Sequence, residues 1–278
     1  MRRRLPALLY KYIGEKTASK YLLDMLKEKY IFLSNPENVN DVFDCTCSFD
    51  EDTIMAFPIN EDSWDSIFYF LSLENIDTEG IEINLNAKAI GDIFSYLRGK
   101  VDASTLQIVK TRIFNSLQTR KTSVLLYSMS EVNDSLLMWA HYGDHLKGVV
   151  LCLDPEKDMK LFTKAHKVVY SRKRYYEATI KAVRTKASVW KYEREWRILT
   201  HHEEKHCKTS AIVAVIMGYD VSVELANNLL GFCVQNGMPL FRAEPDNKLY
   251  KINIVTHYIP DPGMTYNKLI REITNHNH

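Results

Sequence analysis

A chain of 278 residues is long enough to bury a sizeable core, as one large domain or two small ones. Its 46% hydrophobic and 26% charged residues are ordinary for a globular protein, and a net charge of +1 gives no overall attraction to nucleic acid or membrane. The five cysteines include no CxxC pair, which favours free thiols over a disulfide framework or a zinc knuckle. The basic, apolar start is too short and interrupted for a signal peptide, and no run has the length of a membrane span. We therefore expect a cytoplasmic protein without a membrane partner.

The first part of the chain predicts a strand, a helix and a second strand. The strand covers residues 8–13, and apolar residues at helical spacing follow Gly14. Residues 30–34 predict the second strand. Three apolar stripes of period 3.6 then predict a helical insertion at about 60–120.

The remainder of the chain mixes strands and helices. The predicted strands are 123–130, 148–154, 167–171, 195–200, 211–218 and 250–255. The predicted helices are 134–142, 175–190 and 223–237, with a loose helix in a tail at 261–278. Strands that flank a helical middle predict an α+β fold, with a central split or mixed sheet in a single domain, 1–260, that carries the helical insertion.

Four motifs follow one another along the chain. They are "LYKY" from Leu9, "NDVFD" from Asn40, "LMWAHYGDHLKGVVLCLD" from Leu137 and "WKYEREWRIL" from Trp190. Together they resemble the bacterial domain-of-unknown-function family numbered 2971, whose members carry similar LYKY, FNDPFD, MWAHYADxHKGV and WxYExEWR stretches. The resemblance spans roughly residues 9–255 and supplies no activity.

Two carboxylates stand two residues apart in the last motif. If the whole motif is a strand, alternation places Glu193, Glu195 and Arg197 on one face. One interpretation is a solvated sheet face whose ion pairs contribute little. The other is a catalytic pair, because the Glu-x-Glu spacing is similar to that of mono-ADP-ribosyltransferases, in which a strand presents two carboxylates to NAD.

That second resemblance implies a role for each residue. Glu195 would stabilise the ribosyl cation that forms when nicotinamide leaves, and Glu193 would orient or deprotonate the acceptor. Ser128 and Ser130 in "YSMS" are similar to the Ser-x-Ser strand that supports the glutamate, although Met129 replaces the usual threonine. The first strand, which lacks the usual arginine, would contribute Tyr10, Lys11 and Tyr12 to the NAD site. The implied reaction transfers ADP-ribose from NAD to a macromolecular acceptor, in a toxin or phage-defence effector.

The third motif allows a metal-dependent nuclease as an alternative. His141 and His145 are four residues apart, and Asp144 and the glutamates would complete a metal site. We expect Gly143 to end the helix between the histidines and to break that register, so no metal is expected. His141 and Tyr142 would instead line the cleft, where two amphipathic rings suit a planar ligand.

Two further patterns leave their interpretation open. The basic run "SRKRYYEATIKAVRTK" from Ser171 is either a solvated helix face or a surface for a phosphate backbone. "NDVFD" is most simply a loop, from which Asp44 could reach the cleft. A third overall hypothesis is a non-catalytic binding or regulatory module, in which the same polar residues form a buried network.

Overall fold

The structure is a computed structural model. It describes residues 5–36, 41, 44–45, 55–56, 67, 69–76, 89–119, 124–172, 182–201, 205–261 and 264–274.

In chain order the elements are β1 (Leu9–Ile13), α1 (Glu15–Glu28), β2 (Tyr30–Phe32), α2 (Ile90–Leu97), α3 (Ala103–Thr119), β3 (Val124–Ser130), α4 (Leu136–His141), β4 (Val149–Leu153), α5 (Met159–Phe162), β5 (Ala165–Lys167), β6 (Val169–Ser171), β7 (Thr185–Ala187), β8 (Glu195–His201), β9 (His206–Lys208), β10 (Ile212–Met217), α6 (Val223–Asn236), β11 (Leu240–Pro245), β12 (Ile252–Tyr258) and α7 (Met264–Thr274). Short 3-10 turns cover Pro155–Asp158, Ala182–Arg184 and Ser188–Glu193.

The chain divides into two compact units. Unit 1 consists of Met1–Ser34, Leu125–Val168 and Ser188–His278, and unit 2 consists of Asn35–Val124 and Val169–Ala187. Unit 2 contains α2 and α3, which agree with the helical character predicted for residues 60–120. Of the other predicted helix of that region, residues 64–73, the described residues 67 and 69–72 are helical as well.

Unit 1 is built on an eight-stranded sheet with the order β12-β11-β10-β4-β1-β3-β8-β5. The sheet is mixed, because β10 and β11 are parallel whereas β1 is antiparallel to both of its neighbours. The expectation of an α+β fold with a mixed sheet is therefore confirmed. Strand β1 pairs with β4 from Leu9 to Ile13, but with β3 its register pair is Tyr10 and Ser130.

Both faces of the sheet are apolar, which explains why β1 and β4 read as nearly continuous hydrophobic runs. One face, here called the tyrosine face, carries Tyr10 and Tyr12 and packs against Trp139 and Ile273. The opposite face, here called the leucine face, carries Leu9 and Ile13. Helices α1 and α6 cover the part of the leucine face around Ile13.

The helix predicted over residues 175–190 is wrong for its described part. Residues 182–193 form a 3-10 turn, strand β7 and a second 3-10 turn. Val183, Thr185 and Val189 are β-branched, and such side chains favour extended backbone over helix. Lys186 also points inward, and its Nζ lies 3.5 Å from an Asp44 carboxylate oxygen. Within the described residues, no helix has the length and hydropathy to cross a bilayer.

Candidate functional site

Three neighbouring strands of unit 1 bring several of the predicted site residues to one face. Tyr10 on β1 and Ser130 on β3 are register partners, and Ser128 lies two residues from Ser130 on the same face. On β8, Trp196 and Ile198 belong to the core of the leucine face. Alternation therefore places Glu195 on the tyrosine face. Tyr12, two residues beyond Tyr10, shares this face as well.

Glu195 is a buried carboxylate that arginine holds at two points. Arg197 donates from Nε to Glu195 Oε1 over 2.7 Å and from Nη2 to Oε2 over 2.9 Å. The two residues are only 4% and 0% exposed. Two residues apart on a strand, they share a face, which makes this side-by-side geometry possible. The interpretation of a solvated sheet face is therefore wrong for this pair.

Glu193 lies outside the strand, in the 3-10 turn that precedes it. Arg194 between the two glutamates has a φ of 47°, so strand alternation does not relate Glu193 to Glu195, and that part of the sequence prediction is wrong. Glu193 is 2% exposed, and its Oε1 accepts a 2.7 Å hydrogen bond from Tyr142 Oη. Burial and this carboxylate raise the pKa of Tyr142, which keeps the phenol protonated as a donor.

Ser130 joins the two loops that leave the sheet at this point. Its hydroxyl donates to the Glu193 carbonyl over 2.6 Å and accepts from the Val132 N–H over 3.0 Å. A hydroxyl has one proton to donate, so the Ser130 proton fixes the backbone of Glu193 and is not directed at the Glu195 carboxylate. The sequence placed Ser130 near the glutamates, whereas its contact with the Glu193 main chain depends on a turn that the sequence did not predict.

Four aromatic rings lie together beside Glu193. The His141 ring centroid is 6.0 Å from that of Trp190, 6.2 Å from that of Tyr192 and 6.4 Å from that of Tyr142. His141 is exposed and the other three are half-buried. The group is here called the ring cluster. Trp190 and Tyr192 were not predicted as site residues, although their alternation immediately before Glu193 was the available signal.

The first strand contributes differently from what the resemblance implies. Tyr10 and Tyr12 are 0% and 6% exposed, and the Tyr12 hydroxyl donates to the Val132 carbonyl over 3.1 Å. Both tyrosines therefore act as core residues beneath the site. Lys11 lies on the leucine face, with its Nζ 4.9 Å from the Tyr127 ring centroid. Neighbouring residues of a strand point to opposite faces, so Lys11 lies on the other face from Tyr10 and Tyr12, and its place in the NAD site stays a prediction.

The two histidines of the third motif do not share a helix face. Helix α4 ends at His141 with Tyr142 as its C-cap, slightly before the predicted stop at Gly143. Asp144, His145 and Leu146 then have φ values of 50°, 54° and 69°, which form a left-handed turn. Within the part of the chain that the structure describes, no group of three or more His, Cys, Asp or Glu residues is placed to hold a metal ion.

The left-handed turn is held from both sides. The His145 N–H donates to the Trp139 carbonyl over 3.1 Å, and the Leu146 carbonyl accepts from the Asp220 N–H over 2.9 Å. Gly218 packs so closely that a Cβ there would lie 1.9 Å from the Leu146 carbonyl oxygen. Non-glycine residues in this conformation are strained, and packing of this kind is what keeps them there.

The remaining sequence candidates lie in unit 2. Asp44 and Lys186 are 3% and 6% exposed and form a buried ion pair, so Lys186 is not part of a phosphate-binding surface. The Cys45 thiol also donates to Asp44 Oδ1, over 3.5 Å. The centre of the basic run, residues 173–181, and most of "NDVFD" lie outside the described residues.

Comparison with protein-family models, with curated proteins and with solved structures found no match for this chain.

Proposed function

We propose that unit 1 is an ADP-ribosyltransferase-like enzyme that transfers ADP-ribose from NAD to a macromolecular acceptor, a protein or a nucleic acid. The observation that supports it is the alignment of Tyr10, Ser130 and Glu195 on three adjacent strands with their side chains on one face. The order early strand, Ser-x-Ser strand, Glu-x-Glu strand is the order that the resemblance implies. A role as toxin or phage-defence effector belongs to the same proposal.

In this proposal Glu195 supplies the negative charge that the transition state needs. As nicotinamide leaves, positive charge develops on the ribose, and a fixed carboxylate in a buried site stabilises it strongly. Arg197 keeps Glu195 in one orientation through two hydrogen bonds.

Glu193 and the ring cluster complete the proposed reaction. Glu193 has its carboxylate on the side of the half-buried Tyr142, next to the exposed His141. An acceptor that approaches there would replace Tyr142 as the hydrogen-bond donor to Glu193. That bond would orient the nucleophile of the acceptor. The rings offer flat apolar surface with polar edges, which suits the nicotinamide or adenine ring of NAD.

One observation favours a second candidate, a binding or regulatory module without catalysis. Ser130 bonds only main-chain groups in the contacts described above, and Glu195 is bound by the protein's own arginine. Polar networks that the protein satisfies internally also occur as purely structural features of a core. NAD turnover separates the two candidates, because a binding module would release no nicotinamide.

The experiment measures nicotinamide release and transfer of label from NAD by the purified protein. Glu195→Gln should lower both by about two to three orders of magnitude, the typical loss for one preorganised electrostatic group. Because an amide in place of the Glu195 carboxylate would remove the charge that Arg197 binds at two points, the double variant Glu195→Gln/Arg197→Met serves as the second test. The exposed Glu156, replaced by Gln, is the matched control and should leave activity unchanged.

Glu193→Gln should harm transfer to the acceptor more than hydrolysis of NAD, because its proposed role concerns the nucleophile. Wild-type protein that neither binds nor cleaves NAD would refute the proposed function. Binding without cleavage would favour the regulatory module.

A further inference from the structure

A lysine stands in the middle of the sheet on the leucine face. Lys11 lies between Leu9 and Ile13 on β1, which has β4 on one side and β3 on the other. Its Nζ is 4.9 Å from the Tyr127 ring centroid, and within the described part of the chain it forms no ion pair with a carboxylate. The residue as a whole is only partly buried, so part of its side chain lies at the surface.

The neighbouring tyrosine has an unsatisfied hydroxyl. Tyr127 is 2% exposed, and among the described residues its Oη has no hydrogen-bond partner. Buried side-chain polar atoms almost always have a partner, so the Tyr127 hydroxyl can donate to a group that binds beside it. Burial raises the pKa of Tyr127, so the phenol is a proton donor at neutral pH.

Burial also changes the chemistry of the amine. It lowers the pKa of Lys11 to about 8, and the negative charge of Glu195 opposes that change only in part. Relative to an exposed lysine with a pKa near 10.4, the neutral and nucleophilic fraction at pH 7 is then about 200-fold larger. Lysines with a lowered pKa are the ones that form imines with carbonyl compounds.

We propose that Lys11 and Tyr127 form a second reactive site, on the leucine face, that captures a small aldehyde as an imine. The neutral amine of Lys11 attacks the carbonyl carbon, and Tyr127 Oη donates a hydrogen bond to the carbonyl oxygen. That oxygen then leaves as water with the two amine protons, and the C–N bond becomes a double bond. No oxidant or reductant is needed.

An aldehyde suits these surroundings better than an anion. The leucine face around Lys11 is formed by apolar side chains such as Leu9, Met129 and Leu153. A carboxylate or phosphate would lose most of its hydration there, whereas a neutral carbonyl loses less and needs one donor, which Tyr127 supplies. This site lies on the opposite face from the glutamates, so it does not depend on the proposed transferase activity.

The test is competitive labelling of the folded protein with propanal and cyanoborohydride at pH 7, followed by peptide mass spectrometry. Lys20 is the matched control, because its Nζ also lies over a tyrosine ring, 4.8 Å from the Tyr21 centroid, but on an exposed helix position. We expect Lys11 to be labelled at least about tenfold faster than Lys20. The larger neutral fraction of Lys11 should increase its labelling rate by more than its restricted access lowers that rate. Slower labelling of Lys11 than of Lys20, or labelling only after unfolding, would overturn the proposal.

A second measurement tests Tyr127. Tyr127→Phe keeps the ring under the amine and removes only the unpartnered hydroxyl, so the fold should be retained. Labelling of Lys11 should fall by about three- to tenfold, the range expected for one lost hydrogen bond. An unchanged rate would remove Tyr127 from the site, and protection of Lys11 by acetate or inorganic phosphate would show an anion site instead.

Discussion

The buried pair of Glu195 and Arg197 allows a quantitative test of the structure. Replacing Arg197 by Met leaves the Glu195 carboxylate buried and removes hydrogen bonds of 2.7 and 2.9 Å. Each charge-assisted bond contributes roughly 1.5 to 3 kcal/mol, and breaking one side of a buried pair typically costs about 3 to 5 kcal/mol. Glu195→Leu leaves the Arg197 guanidinium buried without the Glu195 carboxylate and should lower the free energy of unfolding by a similar amount.

The double variant Glu195→Leu/Arg197→Met should recover most of the loss, to within about 1 to 2 kcal/mol of wild type, because it removes both charges of the pair together. The assay is urea denaturation followed by circular dichroism at pH 7. Lys208→Met is the control, because Lys208 and Glu28 form an ion pair at 3.5 Å in which both side chains are exposed. This variant should lower the free energy of unfolding by under about 1 kcal/mol. If the single variants at the buried pair also cost under about 1 kcal/mol and their effects add, the buried bidentate contact is refuted.

Three other predictions follow from the same structure. Ser130→Ala should lower the free energy of unfolding by about 1 to 3 kcal/mol, because it removes the hydrogen bonds to two main-chain groups, whereas Ser128→Ala should change it little in the same denaturant titration. Gly218→Ala should destabilise strongly through contact with the Leu146 carbonyl, whereas thermal melting of Gly231→Ala, in open space on α6, should show stabilisation of about 0.5 to 1 kcal/mol. Since Lys11 has a folded pKa of about 8, below its unfolded value, the unfolded chain binds the extra proton and the stability of wild type rises between pH 8 and 10.5. Lys11→Met should therefore be more stable than wild type at pH 7 by up to about 3 kcal/mol, and a gap that does not narrow by pH 10 would contradict this.

The strands that carry the site were predictable because their apolar residues form compact runs. Strands β1, β3, β4, β8 and β10 each match a predicted segment, since both faces of a central strand are buried and the run is conspicuous. Strand β11 was missed. It contains fewer apolar residues than the other central strands, because Arg242 and Glu244 lie within Leu240–Pro245. Its position depends on pairing with β10 and β12.

The contacts of the site were less predictable than its strands. Strand alternation correctly placed Glu195 and Arg197 side by side, but it failed one turn earlier, where Arg194 takes a positive φ and Glu193 leaves the strand. A single sequence gives no signal for a left-handed arginine, because the conformation is stabilised by tertiary contacts. For Lys11 the resemblance implied a place in the NAD site, whereas strand alternation puts its side chain on the face opposite Tyr10 and Tyr12.

The connection between Ser130 and Glu193 has a consequence for how the protein folds. The two residues are 63 positions apart, and strand β1 pairs with segments still farther away along the chain. Such non-local pairings lose the conformational entropy of long loops before their contacts stabilise the sheet, so the central sheet should form slowly. Until β8 docks, β3 is an open, apolar edge that can pair with another chain. The chain length at which this edge becomes covered, rather than the stability of the finished fold, should therefore determine how much of the protein reaches its native state during synthesis.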